Sequence, residues 1–199
     1  MKERKLTQRG SERREQILVE AAQQFAENGY HGTAVGDICD SLGVGKGVFY
    51  WYFPSKEAVF SELLQESLLQ LRRAQQAAIA TVEDPIERIE QGIRASIEFF
   101  RANASVLANI RIAGRYEEFS GLVQRGQEIV VADVATHIKE GMAAGRIRHG
   151  DPELMAHGVL GAIFHFVEIY FEPDVVDSTH RPQLADEAVA FCLRGLLAE

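Results

Sequence analysis

The stretch LGVGKGVFYWYFPSKEAVF, Leu42 to Phe60, decides how this chain is read. Gly43 closes one helix, since glycine adopts the left-handed stop conformation without steric cost. A short turn follows, and Lys46 to Phe53 reads as a second short helix. Pro54 cannot continue it. Ser55 then caps a further helix that opens with Lys56. On a helical projection Lys46, Gly47, Tyr50 and Trp51 share one arc, and Phe49 lies on the far side. The pattern places Phe49 in a small core and turns a cation, a bare backbone and two aromatic rings outward. Exposed aromatics are costly on a small domain unless a partner covers them.

A DNA major groove supplies such a cover. It admits a helix, and Gly47 lets the backbone approach base edges closely. Lys46 suits a guanine edge or a phosphate, and the hydroxyls of Tyr50 and Tyr52 suit phosphate oxygens on the groove walls. Lys56 opposes the dipole of the helix it opens, so stability alone would favour an acid there. Ser55, the free N–H groups of the first turn and Lys56 therefore read as a phosphate-binding site.

The flanking sequence is helical, with no alternating run that would signal a strand. Ser11 to Asn28 carries Ile17, Leu18, Ala21, Ala22 and Phe25 on one face and ends at Gly29. Val35, Ile38, Cys39 and Leu42 mark the short helix before the turn. A long helix runs from Ser55 to about Ala80. Asp84-Pro85 opens the next, as cap and first-turn proline. Asn103 to Ala113 and Glu117 to Ala144 follow, and Asp151-Pro152 repeats the cap logic. The helix after it, LMAHGVLGAIFHFVEIYF, is apolar almost all round and so must be covered on both sides. A last helix spans about Gln183 to Leu197. The fold expected is all-α: an N-terminal three-helix helix-turn-helix domain, residues 1–54, with a basic arm. A helical ligand-binding and dimerisation domain of about six helices, residues 55–199, follows it.

The net charge of −8 is unevenly spread. Residues 1–60 hold eight of the 21 basic and eight of the 29 acidic residues, so the whole excess of acid falls on the remainder. Lys2, Arg4, Lys5, Arg9, Arg13 and Arg14 crowd the first 14 residues. Basic charge gathered at one end of an acidic protein suits contact with phosphates. The longest apolar run, Val159 to Phe171, contains His165 and Glu168 and is too short for a membrane span. The N-terminus has no apolar signal core. Cys39 and Cys192 lack metal-type spacing and read as free thiols of a reducing cytoplasm, the expected location.

Residues 11–60 resemble the DNA-binding domain of the tetracycline-repressor (TetR) family of bacterial transcriptional regulators. The resemblance is carried by ILVEAAQQFAENGYHGTAVGDICDSLGVGKGVFYWYFPSKEAVF, and within it by the arrangement G-V-x-K-G-x-F-Y-x-Y-F-x-S-K-E. It implies that Lys46, Gly47 and Val48 touch bases, that Tyr50, Tyr52 and Lys56 hold phosphates, and that Trp51 meets the groove edge. It also implies that Thr33 caps the second helix and touches a phosphate. Ala34 departs from the family's second hydroxyl there, and Gly45 stands where serine is common.

The resemblance further implies a homodimer on a palindromic double-stranded DNA operator and a small, lipophilic or aromatic inducer. A ligand-responsive repressor is the expected function; a helix-turn-helix regulator without a small-molecule sensor, or an activator, is the alternative. Polar and aromatic groups within apolar helices mark a candidate pocket: Asn109, Tyr116, His137, His157, Phe164 and Glu168. The small-residue face Leu154, Gly158, Gly161, Ala162, His165 and Ile169 is expected at the subunit interface. Val189, Cys192 and Leu196 of the last helix complete a four-helix bundle. No Gly-rich phosphate loop, nucleophile elbow or Cys/His cluster points to an enzyme, a cofactor or a metal.

Overall fold

The computed structural model describes residues 7–170 and 183–198. Among them lie nine helices and no strand: α1 (Gln8–Asn28), α2 (Val35–Ser41), α3 (Lys46–Tyr52), α4 (Lys56–Ile79), α5 (Pro85–Ala102), α6 (Ala104–Ala113), α7 (Glu117–Ala143), α8 (Pro152–Tyr170) and α9 (Leu184–Leu196). The all-α reading holds. Lys2, Arg4 and Lys5 of the basic arm lie outside the described residues. The first helix begins earlier than its apolar stripe suggested, because the Thr7 hydroxyl accepts from the Gly10 N–H and caps it. Gly29 and Gly43, at φ +77° and +63°, end α1 and the α2 turn in the conformation that favours glycine. The Asp84 carboxylate accepts from the N–H groups of Ile86 and Glu87 ahead of α5, and the Asp151 carboxylate from those of Glu153 and Leu154 ahead of α8.

The chain divides into two compact units. One runs up to Ser67 and takes in Ser105–Val123; the other joins Leu68–Ala104 to the residues from Gln124 onward. In the first unit Ile17, Ala21, Phe25, Ile38 and Phe49 are fully buried, as the projection of α1 to α3 requires. The core is completed by Val59 and Phe60 of α4 and by Tyr30 and Phe119. The rings of Phe25, Tyr30, Phe60 and Phe119 meet at 4.7–5.6 Å between centroids, close enough for aromatic pairing to add to plain burial. Asn109 of α6 donates to the Ala22 carbonyl of α1, tying the later segment to the first helix.

In the second unit α9 packs on α5 and α8, and α5 on α8. Ile89, Ile93, Ile97 and Phe100 form the buried stripe of α5, and Val159, Ile163 and Val167 that of α8. Val189, Cys192 and Leu196, expected at a subunit interface, are largely covered within the chain, although Cys192 and Leu196 reach the floor of the open groove between α8 and α9. They share the buried stripe of an amphipathic helix with Leu184 and Ala188, on a helix that packs against α5 and α8. Burial also pushes the Cys192 thiol up to about 11. The segment after α9 pairs with the turn before α8: the Arg148 N–H donates to the Leu196 carbonyl and the Ala198 N–H to that of Arg146.

Candidate nucleic-acid interface

The first unit turns α3 outward. Phe49 is fully buried, while Val48, Tyr50 and Trp51 are 38%, 53% and 54% exposed. Lys46 and Gly47 are exposed and Tyr52 is partly so. A methyl group built at Gly47 would meet no atom within 4 Å. Nothing inside the unit therefore requires glycine at this position, and the helical backbone lies bare. No side chain caps α3, in keeping with Gly45 at its N-cap.

Thr33 lies differently from the capping role implied for it. It is buried, and the single proton of its hydroxyl is shared between the carbonyls of Gln24 and Gly29, at 3.0 and 2.9 Å. Ala34 occupies the N-cap of α2, and its own N–H donates to the Asp37 carboxylate at 2.7 Å. The cap is thus made from the acidic side alone. A hydroxyl that fits between two inward carbonyls has no reason to turn back to the helix start.

Lys56 is also held. Its ammonium donates to the carbonyls of Tyr30 and Thr33 at 2.7 and 2.9 Å and sits 4.3 Å from the centre of the Tyr30 ring. Two of its three protons serve the α1–α2 turn. Ser55 caps α4 as expected, accepting from the Ala58 N–H. Of the basic residues near the N-terminus, Arg14 is paired with Glu62 and stacked on Phe53, so it belongs to the scaffold. Burial raises the Tyr30 phenol above its ordinary value, with the Glu57 and Glu118 carboxylates adding to the shift, so this ring stays neutral.

The six residues expected around a ligand are not brought together. Asn109 and Tyr116 belong to the first unit, where Tyr116 packs on Tyr30 and His31. His157 is exposed on α8, and Phe164 and Glu168 are half-buried there. Only His137 lines the cavity of the second unit, a space of about 50 Å³. Gln75, Arg88, Ser96 and Asp133 line it too, and the sequence reading missed them. Ser96 carried a signal: a hydroxyl on the apolar stripe of α5, between Ile93 and Phe100.

The outer face of α8 is as projected. Leu154 is 71% exposed, Gly158, Gly161 and His165 are exposed, and Ala162 and Ile169 are half-buried. His165 stands 3.8 Å from the Glu168 carboxylate. Methyl groups at Gly158 and Gly161 would meet no atom within 4 Å. An open groove of about 840 Å³ runs between α8 and α9, with Leu154, Gly158 and Ala162 on one wall and Phe191, Arg194 and Gly195 on the other. Phe191, 63% exposed and packed edge-on against Phe166, is the large apolar residue that the sequence reading left out of this face.

Comparison with known proteins agrees with this geometry. The bacterial regulatory proteins of the tetR family match over residues 17–63. The transcriptional repressor KstR2 of Mycolicibacterium smegmatis is 37% identical over 86 residues, 43% of this chain and 42% of that protein. The chain thus spans less than half of that relative, but 79% of the transcriptional regulator YhgD of Bacillus subtilis, to which it is 25% identical over 154 residues and 75% of its own length. The crystal structure of the TetR-family regulator PfmR from Thermus thermophilus superposes with a TM-score of 0.77 at 26% identity, covering 90% of this chain and 97% of that one. Among the described residues no group of His, Cys, Asp and Glu could hold a metal ion, and no helix is long and apolar enough to cross a membrane. With an outward-facing α3 inside the matched segment and relatives that regulate transcription, residues 17–63 form a DNA-binding domain of the tetR family, and the chain is a DNA-binding transcriptional regulator.

Proposed function

We propose that the protein is a ligand-responsive repressor that acts in the cytoplasm and grips a palindromic operator as a homodimer. Residues 1–54 carry the operator contacts, and residues 55–199 hold the ligand and the partner subunit. The observation that carries this reading is the state of α3: Tyr50 and Trp51 more than half exposed beside a glycine whose backbone is bare. Lys46, Gly47 and Val48 meet base edges in the major groove, while Tyr50, Trp51 and Tyr52 line its walls. Thr33 and Lys56 act at one remove, by fixing the α1–α2 turn against which α3 is set.

The outer face of α8, joined by Phe191 of α9, is the dimer contact. Its open-sided glycines permit the close helix approach of a bundle. Such a dimer reads half-sites roughly 34–36 Å apart. A ligand that prefers another spacing of the two α3 helices then releases the operator, since it shifts the equilibrium by its differential affinity. Repression is favoured by the KstR2 relative, which is a repressor.

The single tryptophan, Trp51, makes the test direct. Titrating the protein with DNA from upstream of its own gene should change tryptophan fluorescence saturably, at one dimer per palindrome. Random DNA of equal length should do so only at low salt. Equal responses to the two DNAs at physiological salt would refute specific operator binding.

A further inference from the structure

We propose that Gly36 of α2 is a specificity-determining position: by carrying no side chain it keeps open the space from which Lys46 reaches a base edge. The inference rests on the reading that α3 docks in the major groove, and it adds a residue from outside α3 to that contact.

The glycines flanking α2 have backbone reasons that Gly36 lacks. Gly29 and Gly43 take a positive φ. Gly32 lies too close to the Asn28 carbonyl for any Cβ. Gly36 stands in the first turn of α2 without a positive φ, where alanine would favour the helix. Beyond its own helix and chain neighbours, a Cβ built there would meet two atoms within 4 Å, Cε and Nζ of Lys46, at 3.4 and 3.5 Å. Those are contact distances that a methyl group tolerates. A longer side chain would take the place of the ammonium.

Lys46 is the first residue of α3, and helical side chains lean toward the start of their own helix. Its chain therefore runs back across α2. The Cys39 thiol registers the charge: burial and then the Asp40 carboxylate raise it, and Lys46 works against both. Stability does not explain this placement. The dipole of α2 opposes a cation in its first turn, and the Asp37 carboxylate there already accepts from the Ala34 N–H. Among the described residues the Lys46 ammonium enters no hydrogen bond or ion pair, whereas Lys56 spends two of its three protons inside the unit. The donors of Lys46 thus remain for a partner, and the paired acceptors of a guanine edge match them. What stands at position 36 governs where those donors can be.

The full-length protein should be assayed by gel shift on DNA from upstream of its own gene, and by selection from DNA randomised across each half-site. Lys46→Ala should lose about tenfold in affinity, and its base preference at one position per half-site. Gly36→Leu should lose the same position to the same extent. In the Lys46→Ala background it should cost nothing further, because two changes that abolish one contact do not add. Gly36→Ala should keep the parental preference while its melting temperature rises. If Gly36→Leu does not fold, the unbranched Gly36→Met replaces it in the same cycle.

A Lys46→Ala protein that binds as the parent does overturns the base contact of Lys46 and this proposal with it. Impaired Lys46→Ala beside a normal Gly36→Leu overturns the proposal alone and leaves the docking of α3 standing. A Gly36→Leu loss that recurs in full on the Lys46→Ala background also overturns it, since the leucine then meets DNA directly. So does a loss in Gly36→Ala as large as in Gly36→Leu, which would make the bare backbone itself the contact.

Discussion

Two helices, α3 and α8, each turn apolar side chains and open-sided glycines to the outside, yet their chemistry suits different partners. On α3 the exposed rings are Tyr50 and Trp51, with Lys46 and Tyr52 beside them. Apart from Val48, each large group there carries a donor or a positive charge, which matches the acceptors of a phosphate backbone. On α8 and α9 the exposed groups are Leu154 and Phe191 around Gly158, Gly161 and Gly195. The middle of that face is apolar, with Arg148 and Arg194 at the rim of the groove, and it suits another apolar surface framed by charge. Bareness alone does not identify a partner. The polar groups at its edge do.

The comparison can be broken most sharply at the glycines. Gly47→Leu should reduce operator affinity by about 100-fold or more, equivalent to roughly 3 kcal/mol, while the melting temperature stays put. Its side chain enters open space in the free protein and a base edge in the complex. Normal binding in a gel shift would remove α3 from the groove. Next in size, Leu154→Glu should convert the proposed dimer to a monomer by sedimentation and weaken operator binding through loss of the second half-site, while far-ultraviolet circular dichroism is unchanged. A variant that remains dimeric would move the interface off this face.

Lys56→Ala distinguishes a clamp from a phosphate grip. It deprives two carbonyls of a charged donor, so stability should fall by about 2 kcal/mol. Each phosphate contact changes the slope of log affinity against log salt by about 0.9. Lys56→Ala should leave that slope unchanged, and a full change would restore the direct grip. Tyr50→Phe should do the opposite, weakening binding roughly tenfold across operator sequences without altering the melting temperature.

The smallest effect concerns Cys192. Its thiol is raised by burial, so ionisation costs more in the folded chain than in the unfolded one. The stability this contributes is complete below the ordinary thiol range and is lost as pH climbs from there towards about 11. Thermal unfolding of Cys192→Val should therefore decline less between pH 9 and 11 than that of the parent. Cys192 in the Leu154→Glu monomer should also stay unreactive to thiol reagents, because its own chain covers it.

Much of this was legible in the sequence because local rules decide it. The stops at Gly29 and Gly43, the caps at Asp84 and Asp151 and the inward Phe49 follow from periodicity and capping, and each stands in the structure. What escaped depends on contacts between segments distant in sequence. No spacing rule announces that Lys56 reaches back 26 residues to the Tyr30 carbonyl. The stripe of Val189, Cys192 and Leu196 had the right pattern for an interface and equally for a core. Its burial depended on α5 being alongside, and pairing of helices is not written in the period of one of them. The cavity was hardest to read, since its lining comes from four helices and only His137 stood out as a polar residue worth naming.

The inward commitment of Lys56 and Thr33 also bears on how operator specificity could be re-engineered. The side chains of α3 that face outward have few duties within the unit, whereas the turn that carries the helix is fixed by residues on either side of it. A transplant of residues 46–52 from another regulator should therefore carry its base preference with it on this scaffold. A longer graft that includes the lysine but not Tyr30 would bring an ammonium to a loop shaped for a different host. The natural unit of exchange is seven residues long, and its borders are set by what the turn needs and not by where the helix motif ends.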